Sequence, residues 1–152
     1  MSYAAQYLHV VFATKHRQRL LEESFESRLH KYISGVCKNL QSTLIEAGGV
    51  EDHLHLLITL PTTISTSELV GKIKANSSRW ISSEHLLSRQ FAWQDGFSSF
   101  TVSRSNVERV RRYIRGQKKH HRKSDYEREI SRLLEAHGIS PDSVPPLRGS
   151  TT

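Results

Sequence analysis

The chain has little of what a secreted or membrane-bound protein needs. Cys37 is its one cysteine, so an internal disulfide and a cysteine-built metal site are both excluded. No run of about eighteen apolar residues occurs, and the N-terminus lacks a charged segment followed by an apolar stretch. We therefore expect a soluble, cytoplasmic protein that does not engage a membrane.

Acidic residues are outnumbered by basic ones. The 152 residues contain 22 lysines and arginines against 15 aspartates and glutamates, which gives a formal net charge of +7. A basic chain favours a polyanionic partner such as nucleic acid over an acidic protein or a neutral metabolite. The length fits one domain, which we place at residues 1–138, and we expect residues 139–152 to form an extended or disordered tail because prolines interrupt them.

A His-x-His motif lies in the stretch around which the chain is organised. Residues 50–60 alternate as a strand does, so His53 and His55 share one face while Leu54 and Leu56 share the other. Both imidazoles can then turn one nitrogen toward a common divalent ion without bending the backbone. Two ligands seldom suffice, however, and a half-exposed strand that happens to carry two histidines is the alternative interpretation.

The remaining periodicity predicts an α+β domain, with a ferredoxin-like antiparallel sheet and helices packed mainly on one face. Gly48 and Gly49 are interpreted as the turn of a hairpin that leads into the His-x-His strand. Ser105 and Glu108 fit a capping box at the start of a helix over residues 106–121. The other predicted strands cover residues 7–14, about 44–47 and 98–103, and the other helices cover about 22–40, 68–87 and 126–138.

Tyr113 and Gln117 lie four residues apart on the predicted helix, so they project from the same side, one turn apart. The carbonyl oxygen of Gln117 is a ligand of the kind that a hard cation accepts beside imidazoles. Taken alone, Tyr113 would be interpreted as a partly buried aromatic residue. A cationic environment, however, both attracts a phosphate and stabilises a phenolate. Four arginines supply such an environment here, namely Arg109, Arg111, Arg112 and Arg115.

Most of residues 5–121 resembles the single-tyrosine HUH transposases, a family that includes insertion-sequence transposases acting on single-stranded DNA and the REP-associated tyrosine transposases. The similarity rests on four segments in the expected order along the chain. One His-x-His is unspecific, but the four segments together are a strong signal. They are His9 to Arg17, the HUH signature His53-Leu54-His55, Trp93 to Phe97, and Tyr113 to Gln117 followed by His120 and His121.

The resemblance implies an activity, a cofactor and a partner. Tyr113 would attack a phosphodiester, leaving a 5′-phosphotyrosine and a free 3′-hydroxyl. The implied metal is Mg²⁺ or Mn²⁺, held by His53, His55 and Gln117. The implied substrate is single-stranded DNA that forms hairpins, and the implied assembly is a homodimer whose tyrosine serves either its own histidine pair or the partner's. Basic side chains are assigned to the DNA phosphates, namely Lys15, Arg17, Arg109, Arg112 and Arg115.

Two other functions stay open on the sequence alone. A non-catalytic nucleic-acid-binding domain would keep the charge and the fold but make no use of Tyr113. A metal-dependent single-strand nuclease would need both histidines yet release a free 5′-phosphate. Tyr126 is a rival nucleophile by residue type, although Ile130 gives it no ligand four residues further on.

Overall fold

The computed structural model describes residues 1–121 and 125–140; positions 122–124 and most of the predicted tail, 141–152, lie outside the described residues. Its helices and strands follow the predicted order. They are β1 (Tyr7–Ala13), α1 (Glu23–Asn39), β2 (Leu44–Val50), β3 (His53–Thr59), α2 (Thr66–Ser83), β4 (Ser98–Val102), α3 (Val107–Arg115), α4 (Gln117–His120) and α5 (Tyr126–Ala136). Short 3-10 turns follow β1 and β4, at Lys15–Arg17 and Arg104–Asn106.

The strands form one antiparallel sheet in the order β2-β3-β1-β4. β1 and β3 occupy its centre, and Val11 pairs with His55 across them. β2 pairs with β3 in a register that sets Gly48 opposite His55. The α+β class and the antiparallel sheet are thereby confirmed.

The two faces of the sheet carry different layers. The longest helices, α1 and α2, cover one face, where the main apolar core lies. Complete burial of one large apolar side chain there stabilises the fold by about 1.5–3 kcal/mol. α3 and α5 lie over the opposite face, so the prediction that helices pack mainly on one face holds for the two longest. The second face has a smaller apolar cluster, formed by Leu57, Val102, Val107 and Ile114.

The hairpin before β3 turns at Glu51 and Asp52, not at the two glycines as predicted. Gly48 and Gly49 lie inside β2. A β-carbon on Gly48 would collide with the carbonyl oxygen of Ile114. The glycine is therefore needed for the close approach of α3 to the sheet rather than for a turn.

The predicted capping box at the start of the tyrosine helix does not form. Arg104–Asn106 is a 3-10 turn instead, and Oγ of Ser105 lies 3.1 Å from Oγ of Ser103. α3 then begins at Val107 without a side-chain cap on its first turn. The turn gives the chain a sharp change of direction between β4 and α3, which a capping pattern alone does not predict.

The predicted helix 106–121 is also interrupted. α3 ends at Arg115, Gly116 separates the two helices, and α4 begins at Gln117. Tyr113 and Gln117 nevertheless stay on the same side of the chain, because both contact one carboxylate on α5. Within the described part of the chain, none of the helices is both long and apolar enough to span a bilayer.

Candidate metal and nucleophile site

His53 and His55 stand on β3 with their rings toward α3 and α5, as the alternation predicts. Both side chains are fully buried, while Leu54 between them enters the main apolar core. The two rings meet edge to face with their centroids 5.3 Å apart. The paired histidines therefore form the floor of a site on the second face of the sheet.

Hydrogen bonds fix the orientation of both rings. Nδ1 of His53 lies 2.7 Å from Oδ1 of Asp52, and Nδ1 of His55 lies 2.7 Å from Nε2 of His9 on β1. Metal-bound histidines usually have such a partner on the nitrogen that does not bind the ion. Because both Nδ1 atoms are engaged, both Nε2 atoms are directed to the same place.

That place is taken by a carboxylate that was not among the predicted site residues. Oε1 of Glu129, on α5, lies 3.0 Å from Nε2 of His53 and 2.9 Å from Nε2 of His55. The same carboxylate accepts hydrogen bonds from His121 at 3.0 Å and from the amide of Gln117 at 2.8 Å. Glu129 is only 2 % exposed, so it joins β3, α4 and α5 inside the protein.

The sequence does contain a signal for Glu129. The apolar stripe of α5 runs through Tyr126, Ile130 and Leu133, and a residue three positions after Tyr126 falls on the same stripe. A carboxylate there requires partners, because an unpaired charge is costly to bury. Glu129 is missed when the helix is interpreted from its apolar residues alone.

The donor atoms fit a divalent cation. One ligand atom from each of His53, His55 and Glu129 lies within 4.8 Å of the others. Among the described residues, Oε1 of Gln117 is a buried acceptor without a hydrogen-bond partner. Imidazole nitrogens suit transition metals, and carboxylate and carbonyl oxygens suit Mg²⁺ and Mn²⁺. The structure thus brings the three predicted ligands together and adds Glu129 as a fourth.

Burial and hydrogen bonds determine where the protons of the site lie. Burial disfavours ionised Glu129, but hydrogen bonds from His53 and His55 outweigh it and hold the pKa of that carboxyl far below its usual value. Burial also opposes the charge on His53, yet hydrogen bonds to Asp52 and Glu129 raise its pKa. Burial dominates for the other two rings, where it lowers the pKa of His55 and brings the pKa of His9 to about 3. A carboxylate therefore lies beside one readily charged imidazole and near two neutral ones.

The hydroxyl of Tyr113 donates a hydrogen bond to Oε2 of Glu129. Two of the four arginines expected to surround this phenol, Arg111 and Arg115, pair instead with Glu46 on β2, at 3.3 and 3.0 Å. Burial and Glu129 raise the pKa of Tyr113, so the prediction of a stabilised phenolate is wrong.

Tyr126 also lies at this site. Its ring centroid is 4.8 Å from that of His53, and the guanidinium of Arg17 lies 5.9 Å from the Tyr126 ring. Arg17 in turn pairs with Glu127 at 2.9 Å. Ile130, four residues after Tyr126, is no ligand, but Glu129, three residues after it, is a candidate ligand, so Tyr126 also lies beside the candidate metal site.

The side chains predicted to contact DNA are all exposed. Two of them follow β1, where Arg17 reaches α5, and three lie on α3, the helix that carries Tyr113. Arg115 shares Glu46 with Arg111, as described above. Contact with DNA stays a prediction for all five of the predicted side chains, Lys15, Arg17, Arg109, Arg112 and Arg115.

An antiparallel sheet that carries paired histidines beneath a tyrosine-bearing helix is the arrangement that the resemblance to the single-tyrosine HUH transposases implies. Comparison with known proteins supports that class. Residues 2–117 match the family model described as "Transposase IS200 like", and the chain belongs to this family of transposases. The family resemblance inferred from the sequence is confirmed.

The chain is similar to characterised and solved relatives over most of its length. It is 26% identical over 115 residues to the transposase for insertion sequence element IS200 of Salmonella typhimurium and equally to that of Salmonella typhi, covering 72% of this chain and 74% of each relative. A provisionally named transposase from Deinococcus radiodurans R1 aligns with a TM-score of 0.62 at 21% identity, over 76% of this chain and 93% of that one. A REP-associated tyrosine transposase, solved bound to a REP hairpin, aligns with a TM-score of 0.60 at 16% identity, over 95% and 88% of the two chains.

Proposed function

We propose that this chain is a metal-assisted transposase that cleaves and rejoins single-stranded DNA through a covalent 5′-phosphotyrosine at Tyr113. One observation carries the proposal. The hydroxyl of Tyr113 and the Nε2 atoms of His53 and His55 all bind the carboxylate of Glu129. The nucleophile and the metal ligands are therefore assembled around one buried group.

His53, His55, Glu129 and the carbonyl oxygen of Gln117 would hold Mg²⁺ or Mn²⁺. Such an ion, when bound, polarises the scissile phosphate and neutralises its developing charge. The four side chains supply two nitrogen and at least two oxygen donors from β3, α4 and α5. Their burial excludes water from the ligand atoms, which strengthens the electrostatic stabilisation of the reacting phosphate.

Tyr113 supplies the attacking oxygen. A new bond forms between that oxygen and phosphorus while the bond from phosphorus to the 3′ oxygen breaks. The phenol gives up its proton along its hydrogen bond to Glu129, and the departing 3′ oxygen takes up one proton, so the products are a 5′-phosphotyrosine and a 3′-hydroxyl. Because the phosphotyrosine keeps the energy of a phosphoester bond, a 3′-hydroxyl can later attack it and rejoin the strand without ATP. The reaction is strand transfer rather than hydrolysis.

The proposed substrate is single-stranded DNA that folds into hairpins. The net charge of +7 and the exposure of the basic residues after β1 and on α3 support binding to phosphates. A relative of the same fold was solved with a REP hairpin, and by analogy a hairpin would place an unpaired flank near Tyr113. We assign phosphate contacts to Lys15, Arg17, Arg109, Arg112 and Arg115.

The geometry also favours action in cis. Tyr113 is hydrogen-bonded within its own chain to the carboxylate that faces His53 and His55. The homodimer implied by the family resemblance stays a prediction, since this arrangement needs no residue from a second copy.

Covalent trapping tests the proposed function. A hairpin DNA labelled at its 3′ end is incubated with the protein and Mn²⁺, and the expected product is a labelled protein band that survives denaturant. Tyr113→Phe should abolish the labelled protein band without changing the affinity for the hairpin. Tyr126→Phe, which alters the rival tyrosine, should leave the band unchanged. A labelled 5′-phosphate fragment without a protein adduct would instead identify a nuclease, and binding without either product would identify a non-catalytic domain.

A further inference from the structure

We infer that His9 is a positioning residue that reverses its hydrogen bond with His55 when a metal ion binds, and so lets His55 act as a ligand. The inference rests on the metal site of the proposed function. Nε2 of His9 lies 2.7 Å from Nδ1 of His55. His9 lies on β1, one strand away from the ligands, and takes no other part in the proposed reaction.

The ring of His9 is held so that this hydrogen bond is its main polar contact within the site. Only 3 % of the residue is exposed. Its ring meets the edges of Phe100, at 6.1 Å between centroids, and of Tyr113, at 5.9 Å. It is tilted by 31° against the His55 ring at 5.0 Å. Aromatic side chains on neighbouring elements therefore keep Nε2 of His9 directed at His55.

The direction of the bond follows from Glu129. A carboxylate oxygen only accepts, so Nε2 of His55, which lies 2.9 Å from Oε1 of Glu129, must carry a proton. The ring of His55 is fully buried, and a neutral imidazole carries a single proton, which leaves Nδ1 without one. Nε2 of His9 is consequently the donor to Nδ1 of His55.

Metal ligation by His55 requires the opposite direction. Nε2 of His55 must offer its lone pair to the ion, so its single proton moves to Nδ1, which becomes a donor. Nε2 of His9 must then accept, with the proton of His9 on Nδ1. Each ring keeps one proton throughout, so neither ring changes its charge. A neutral imidazole can take both roles, because it has one donor and one acceptor nitrogen that can be exchanged.

A side chain that cannot accept would leave Nδ1–H of ligated His55 buried without a partner, which is unfavourable. His9→Phe keeps the aromatic packing against Phe100 and Tyr113 but removes both nitrogens. His9→Gln keeps a group that can donate or accept according to the orientation of its amide. The two variants therefore separate the hydrogen bond from the packing.

Binding of Mn²⁺ is measured from the free-ion electron paramagnetic resonance signal, with the full-length protein and no DNA. We expect His9→Phe to weaken the affinity by roughly 10- to 100-fold, which is the usual effect of removing a hydrogen-bond partner of a metal ligand. His9→Gln should recover most of the affinity, and His30→Gln, on α1 outside the site, should match the wild type. Equal affinity of His9→Phe and the wild type would overturn the inference, and so would a His9→Gln as weak as His9→Phe.

The wild-type protein provides a second test that does not depend on the folding of a variant. Nitrogen-15 spectra of the imidazole rings report which nitrogen of each histidine carries the proton, with diamagnetic Zn²⁺ as the added ion. We expect the proton to lie on Nε2 of His9 and His55 before addition and on Nδ1 of both afterwards. If the proton moves to Nδ1 in His55 but stays on Nε2 in His9, the inference is wrong. Failure of the wild type to bind Mn²⁺ or Zn²⁺ would instead contradict the metal site of the proposed function.

Discussion

Gly48 of β2 lies directly beneath the carbonyl oxygen of Ile114, with no room for a β-carbon between them. Ile114 is the neighbour of Tyr113 on α3, and Gly48 pairs with His55 in the sheet. The contact therefore sets how close the tyrosine helix comes to the histidine strand. A distance within the candidate site depends on a residue that carries no functional group.

Gly48→Ala should displace α3 from the sheet. We expect the yield of the covalent DNA adduct to fall at least about tenfold, because small displacements of a reacting group cost rate steeply, and unfolding in urea should show a loss of about 1–3 kcal/mol from overpacking. Gly35→Ala is the control, since a β-carbon there meets nothing within 4 Å and should stabilise α1 by about 0.5–1 kcal/mol. Wild-type adduct yield in Gly48→Ala would show that the contact does not position Tyr113.

Periodicity predicted the order of the main helices and strands, because burial of one face leaves a period in the sequence. The hairpin turn was misplaced for a related reason. Gly48 and Gly49 have the composition of a turn, yet Gly48 is required by a contact with Ile114 of α3, more than sixty residues later in the chain. Contacts of that range leave no local pattern.

The candidate site shows the same division. His53 and His55 follow from strand alternation, and Gln117 from its spacing to Tyr113, so local geometry was sufficient for them. Glu129 reaches the site only because α5 folds back over β3, and the sequence of α5 alone does not predict that packing. The arginines on α3 were misinterpreted for the opposite reason, since proximity in sequence was taken as proximity to the phenol, while Glu46 on β2 neutralises two of them.

Glu129→Gln tests whether the carboxylate is a ligand. Loss of its charge should weaken Mn²⁺ binding by at least about tenfold, since each ligand of such a site contributes, and should lower adduct formation in parallel. Glu135→Gln, an exposed change on the same helix, should leave both unchanged. An increase in adduct yield with Glu129→Gln would mean that the carboxylate obstructs the site rather than completing it.

Metal affinity should depend on pH through His53. The pKa of His53 is raised above the usual 6.5. Protonated His53 therefore stabilises the folded protein below pH 6.5, and this stabilisation is lost as the pH rises through the raised pKa. Ligation requires the neutral ring, and Mn²⁺ affinity should therefore fall as the pH drops, beginning above pH 6.5 and reaching at most about tenfold per pH unit for one displaced proton. Titrations of Mn²⁺ at several pH values measure this.

Asp52→Asn provides the matched variant for that titration. Asp52 is one of the two carboxylates that favour the charged form of His53, so its neutral isostere should lower the pKa of the ring. The decline in Mn²⁺ affinity should then begin at a lower pH than in the wild type. An unchanged profile would assign the pH dependence to another group.

Acid stability should depend on His9. Its pKa is lowered by burial from 6.5 to about 3, so the unfolded chain binds a proton in this interval that the folded protein does not. The stability from neutral His9 is complete above pH 6.5 and declines as the pH falls toward 3, by at most about 1.4 kcal/mol for each pH unit. Urea unfolding of His9→Gln should show a shallower decline than the wild type over the same range, and parallel curves would contradict the prediction.

The choice between action in cis and in trans can be decided by mixing inactive variants. His53→Ala lacks a metal ligand and Tyr113→Phe lacks the nucleophile, so each should form no adduct alone. Because Tyr113 reaches Glu129 and the histidine pair within its own chain, a mixture of the two variants should also stay inactive, whether light scattering finds one chain or two per particle. Random exchange of subunits would give one productive pairing in four if the tyrosine acted in trans. Recovery of about a quarter of the wild-type adduct would therefore show that Tyr113 serves the histidines of the other chain. The intrachain hydrogen bond would then belong to a resting arrangement.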